Sequence, residues 1–110
     1  MNPSPGEIYY LDDPVHRLGK SDYGRYVLVV RVDSQGAEYV FGSSKVEYAR
    51  PSDFVVHKDR SEFPATGLTE DTCFILHPSR TIPISSLKMK RGEVSGDLRR
   101  ELEDWWGAPF

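Results

Sequence analysis

The sequence predicts a mainly β chain, a small closed or half-closed barrel of short strands with one α-helix at its C-terminal end. Three observations lead there. β-Branched and aromatic runs recur along the chain, and Arg25–Val32 (RYVLVVRV) is the strongest of them. Turn chemistry separates the runs, at Asp12-Asp13-Pro14, Asp33-Ser34-Gln35-Gly36 and Asp59-Arg60-Ser61. A convincing apolar stripe at helical spacing is found over Gly96–Trp106.

In chain order, Gly6–Leu11 reads as a first strand through Ile8, Tyr9, Tyr10 and Leu11. A loop follows from Asp12 to about Gly24. The core of Arg25–Val32 is continuously apolar, so both of its faces are expected to be covered. The short Asp33–Gly36 link implies an antiparallel hairpin with a return strand over Glu38–Gly42. Ser43–Ser52 is loop-like, Asp53–Lys58 a short strand, and Glu62–Asp71 irregular around Pro64 and Gly67. Thr72–Leu76 reads as a strand, Arg80–Pro83 as a separate short one, and Lys88–Glu93 as a last strand before the helix. In Gly96–Trp106, Ser95 is the expected N-cap and Asp97 puts negative charge in the first turn. Leu98, Leu102, Trp105 and Trp106 fall on one face, while Arg99, Arg100, Glu101, Glu103 and Asp104 take the solvent side. Gly107 and Pro109 end the helix.

The chain of 110 residues fits a single domain, residues 1–110, without internal repeat or low-complexity linker. A domain this small gains from pairing with a second copy. No apolar run approaches the roughly 18 residues that would span a bilayer, and Met1-Asn2-Pro3-Ser4-Pro5 lacks a basic stretch followed by an apolar one, so neither membrane nor signal peptide is expected. The lone Cys73 cannot form an internal disulfide, and no cysteine cluster suggests zinc. A cytoplasmic setting fits. The formal net charge of −3 argues against non-specific coating of nucleic acid but leaves room for a local basic cleft. No Ser-His-Asp order or Gly-rich phosphate loop stands out, and Asp12 and Asp13, as neighbours on a strand, would point apart, which disfavours paired-carboxylate catalysis.

The order of three segments resembles the MazF/PemK family of toxin endoribonucleases. Pro5-Gly6-Glu7-Ile8-Tyr9 is similar to the family's opening strand. Gly24-Arg25 before Val27-Leu28-Val29-Val30 is similar to its Arg-Pro-Val-Leu-Val strand. Gly67-Leu68, Thr72–Leu76 and Arg80-Thr81-Ile82 with Leu87 are similar to its late segment, and the closing helix after Gly92–Ser95 completes the pattern. Residues from about Ser43 to Pro64 match weakly. The sequence departs from the family at Tyr26, where proline is usual, and at Pro83, where an acidic residue is usual. It also departs at His77 and Ile75, the positions matching an acidic and a basic residue on the late strand.

The resemblance implies an SH3-like barrel, a homodimer, and cofactor-free, metal-independent cleavage of single-stranded RNA to 2′,3′-cyclic phosphate and 5′-hydroxyl ends. It also implies a cognate antitoxin that blocks the RNA groove. Such cleavage must deprotonate a 2′-hydroxyl, stabilise the phosphorane and protonate the leaving oxygen. Arg25 stands where the family has its key arginine, whose rigid donor fork suits phosphate; the alternative is a solvated strand-end arginine in a salt bridge. Ser43 or Ser44 matches a family Thr or Ser that hydrogen-bonds phosphate, against an ordinary turn serine. His77 has the side chain to act as acid or base near neutrality, against a structural or surface histidine. His16, Arg17 and Lys20 sit in the long first loop, which either covers RNA or is simply solvated. Arg80 and Thr81 match the late motif, with Arg80 alternatively bonding loop carbonyls. His57, on a charged strand end, reads mainly as structural. The competing reading of the whole chain is a non-catalytic SH3-like binding module descended from such a toxin.

Overall fold

The computed structural model describes residues 2–11 and 25–110. Among the described residues, six strands follow: β1 (Glu7–Leu11), β2 (Arg25–Asp33), β3 (Gly36–Ser43), β4 (Phe54–Val56), β5 (Thr72–Ile82) and β6 (Met89–Glu93). A one-turn helix, α1 (Phe63–Thr66), lies between β4 and β5, and α2 (Gly96–Trp106) closes the chain. The strands form one antiparallel sheet in the order β4-β5-β3-β2-β1-β6. The sheet curls into a half-barrel, the mainly β architecture that the sequence predicts. No described helix is long and apolar enough to cross a membrane.

Alternation along β2 divides the apolar residues between the two faces of the sheet. Leu28 and Val30 join Ile8, Val40, Phe54, Val56 and Phe74 in one cluster that is completed by Val94, Leu98 and Leu102. Val27 and Val29 join Tyr9, Ala37, Tyr39 and Leu87 in a second cluster on the opposite face. Val27 to Val30 are 0–2% exposed, so the expectation that both faces of this strand are covered holds. Leu98 and Leu102 are fully buried, each contributing about 1.5–3 kcal/mol gross. Trp105 and Trp106 flank that cluster half-buried, with the Trp105 ring 5.5 Å from Phe54 and its Nε1–H donating to the Ser52 carbonyl at 2.7 Å.

Several boundaries differ from the sequence reading. Thr72–Leu76 and the Arg80–Ile82 part of Arg80–Pro83 belong to one long strand, β5, which stays paired to β3 across an irregularity. Opposite Tyr39 and Phe41 the register jumps from Arg80 to Ile75, so the residues around Pro78, which has no N–H to offer a ladder, form a bulge instead of ending the strand. The Glu62–Asp71 stretch holds α1, and Ser43–Ser52 holds a 3-10 turn at Val46–Tyr48. Helix α2 has the predicted bounds, but Ser95 makes no side-chain cap. A distant carboxylate does that work: the Leu98 N–H donates to Glu62 Oε2 at 3.1 Å. Arg60 ties Glu62 to Glu101 of α2, at 3.3 Å and 2.6 Å. The Glu62 carboxyl is held below its ordinary range by backbone N–H donation first and by Arg60 and the Leu98 N–H.

Candidate functional site

The ladders, with the β2–β3 register carried past its last pair, line up five residues across the sheet. Leu11 pairs with Arg25, Ser43 with Cys73, and Cys73 with Val55. The Val27↔Phe41 pairing of β2 and β3, continued by two residues, sets Arg25 beside Ser43. Because side chains on adjacent strands in register share a face, Leu11, Arg25, Ser43, Cys73 and Val55 point the same way. That face also carries Tyr9, Val27 and Phe41 of the neighbouring row. Arg25 and Ser43 are both half-buried at the end of the sheet where β1 ends and β2 begins.

The row is electrostatically uneven. Cys73 is buried, and its thiol is pushed up first by that burial, then by the negative charge of Asp53 and, more weakly, Glu47; a hydrogen bond from Ser43 partly opposes this. The β4 end is therefore acidic, and a phosphate is better accommodated at the Arg25 end, two strands and roughly 10 Å from Cys73. The Ser43 hydroxyl accepts the Lys45 N–H at 3.2 Å while it also bonds Cys73, so it is held between backbone and thiol. Ser44, the next residue, is exposed and lies beyond the strand.

Of the remaining candidates, Arg80 pairs with Tyr39 and is exposed. It shares the face of Arg25 two rows further along, roughly 17 Å away from strand geometry, so the two arginines suit different phosphates of one strand better than a single phosphate. Thr81, opposite Glu38, alternates to the other side. The structure thus brings Arg25, Ser43 and Arg80 to one face and turns Thr81 away. His77 belongs to the irregular part of β5; its side chain lies outside what is described, as do His16, Arg17 and Lys20. His57 follows β4 and sits 3.7 Å from Asp71, apart from the row. Among the described residues, no group of three His, Cys, Asp or Glu gathers as metal ligands. A surface recess of about 410 Å³ at the C-terminal end of α2 is lined by Glu103, Asp104, Gly107, Ala108 and Pro109, takes in none of the described candidate residues, and is too acidic for phosphate.

The sequence did not single out Cys73 as a neighbour of Ser43. The two strands that pair them are separated by β4 and α1, so only the sheet order reveals the contact. No protein-family model and no curated protein matches the chain.

Proposed function

We propose that the chain is a metal-independent endoribonuclease of the MazF/PemK type, acting on single-stranded RNA in the cytoplasm as a homodimer and restrained by an antitoxin. The observation that carries this reading is the cross-strand row that sets Arg25 beside Ser43 at one end of the sheet. In the proposed reaction the substrate's 2′-oxygen bonds to the phosphorus and the bond to the 5′-oxygen breaks. Arg25 offers two parallel N–H donors to the phosphorane oxygens, whose charge grows in the transition state. The Ser43 hydroxyl, oriented by the Lys45 N–H, turns its proton from Cys73 to the same group. A proton leaves the 2′-hydroxyl and another reaches the departing 5′-oxygen; His77 and His16 are the candidates for that exchange.

The second reading, a non-catalytic binding module, is favoured by one feature of the same row. Beyond Arg25 it offers a serine already bonded to backbone and a thiol held protonated, with no carboxylate or imidazole among its five members. A time course on a long unstructured RNA in EDTA separates the two. Wild type is expected to cut, and Arg25→Ala to slow cutting by about 10²–10³, the usual loss for one preorganised donor. Arg25→Lys recovers only part, since an ammonium lacks the fork. A wild type that does not cut leaves the binding-module reading; an Arg25→Ala variant that cuts at full rate removes Arg25 from the chemistry.

A further inference from the structure

On the other face of the sheet, at the same end, a second row carries aromatic side chains. Tyr10 pairs with Met89 on β6 and with Tyr26 on β2. The two tyrosine rings meet edge to face, 5.4 Å between centroids. Between Ile8 and Tyr9 the β1–β6 register shifts and skips one residue of β6, Arg91. A bulge re-aims the side chain it carries, and here the Arg91 guanidinium lies over the Tyr10 ring, 5.4 Å from its centroid. Tyr10 and Tyr26 are half-buried while Arg91 is exposed. The bulge is held rigidly, because α1 ends at Gly67, whose Cα approaches so closely that an added Cβ would meet the Arg91 carbonyl oxygen and stand 3.0 Å from the Arg91 Cβ. Neighbouring Lys88 is exposed, whereas Lys90 is spent on Glu7 at 2.8 Å.

We propose that Arg91, braced on Tyr10, whose ring packs on Tyr26, is a stacking platform for one unpaired nucleobase of single-stranded RNA. A planar guanidinium seated on an aromatic ring presents its outer face to solvent, and bases stack on such planes without regard to sequence. Tyr10 and Tyr26 stand one residue from the paired Leu11 and Arg25, so a strand whose phosphate lies on Arg25 passes over the end of the sheet to reach this platform. The inference deepens the endoribonuclease reading and rests on it for the identity of the ligand, but it does not require catalysis.

The test uses binding of a short 2′-O-methyl oligonucleotide, which cannot be cut, beside an abasic oligonucleotide of equal length and charge, for wild type, Arg91→Ala and Arg91→Lys. Arg91 is exposed, so both variants are expected to fold. Wild type should prefer the oligonucleotide with bases. Arg91→Ala should weaken its binding by about 5- to 100-fold, as expected for loss of one stacked base, while the abasic oligonucleotide loses less. Arg91→Lys should keep the salt dependence, since the charge remains, yet lose the preference for bases. Equal loss for both oligonucleotides, full retention of the preference in Arg91→Lys, or no binding by wild type overturns the platform. If RNA is cut normally while the Arg91 variants bind as wild type does, the platform fails and the endoribonuclease reading stands. If the base-dependent binding is seen without any cutting, the platform stands and the enzyme reading fails.

Discussion

Replacing Gly92 by alanine should unfold the corner that holds β6, and the expected size follows from the crossing of α1 over that strand. A Cβ at position 92 would overlap the Ala65 carbonyl oxygen and stand 2.5 Å from the Thr66 carbonyl carbon. Both obstacles are backbone, and neither can yield alone. Thr66 is fully buried, its Oγ1–H donates to the Phe63 carbonyl at 2.6 Å, and the same oxygen accepts the Leu68 N–H at 3.2 Å. Relief therefore shifts the whole 62–67 strap, which carries the Glu62 cap of α2 and the Phe63 ring packed on the core. Overpacking typically costs about 1–3 kcal/mol, and backbone-to-backbone overlap belongs at the upper end, about 3 kcal/mol. For a domain of this size that lowers the melting temperature by about 12 °C. Gly107→Ala is the control: φ there is +92° but a Cβ meets nothing within 4 Å, so only the backbone penalty of about 1–2 kcal/mol applies. Thermal unfolding followed by circular dichroism, with urea titration to confirm an unchanged m-value, reads both variants. A Gly92→Ala protein melting within about 3 °C of wild type, or melting above Gly107→Ala, would refute the close crossing.

The Tyr9 hydroxyl donates to Glu7 Oε1 at 2.9 Å, and burial together with that carboxylate pushes its pKa up to about 12. The native state then keeps a proton that the unfolded chain loses near pH 10, so this contribution to stability is intact below pH 10 and is lost as the pH rises to 12. Ultraviolet titration should show one tyrosine ionising near pH 12, and urea midpoints should fall across that window; a Tyr9 that titrates near pH 10 contradicts the contact. Leu102→Ala removes a fully buried side chain of α2 and should cost about 2–5 kcal/mol by denaturant unfolding, whereas a change below about 1 kcal/mol would mean that the helix is not seated on the sheet. The homodimer of the proposed enzyme should be seen by light scattering at tens of micromolar and bury more than roughly 1,000 Å²; a monomer at that concentration counts against it.

The limits of sequence reading follow the range of the interactions. Helix α2 was legible to the residue because its signals are local: an apolar stripe at i, i+4, i+7 and i+8, and a terminating glycine at Gly107. Its cap was not, since Glu62 lies 36 residues from the Leu98 N–H it accepts, and Ser95 was the only candidate close enough in sequence to see. The single strand β5 looked like two because Pro78 punctuates it, and a bulge is indistinguishable from a break until the partner strand is known.

By itself the sequence determined a mainly β chain with one closing helix, a central strand covered on both faces, and Arg25 at the head of that strand. These depend on alternation, helical periodicity and turn residues, which act between near neighbours. Only the tertiary structure decided that Arg25, Ser43 and Cys73 share a row, that Arg80 lies on their face while Thr81 turns away, and that Arg91 leaves the ladder to cover Tyr10. Each of these turns on register between strands far apart in the chain. Side chains alternate with a period of two, so one extra residue at a bulge exchanges the faces, and composition carries no trace of where that residue falls.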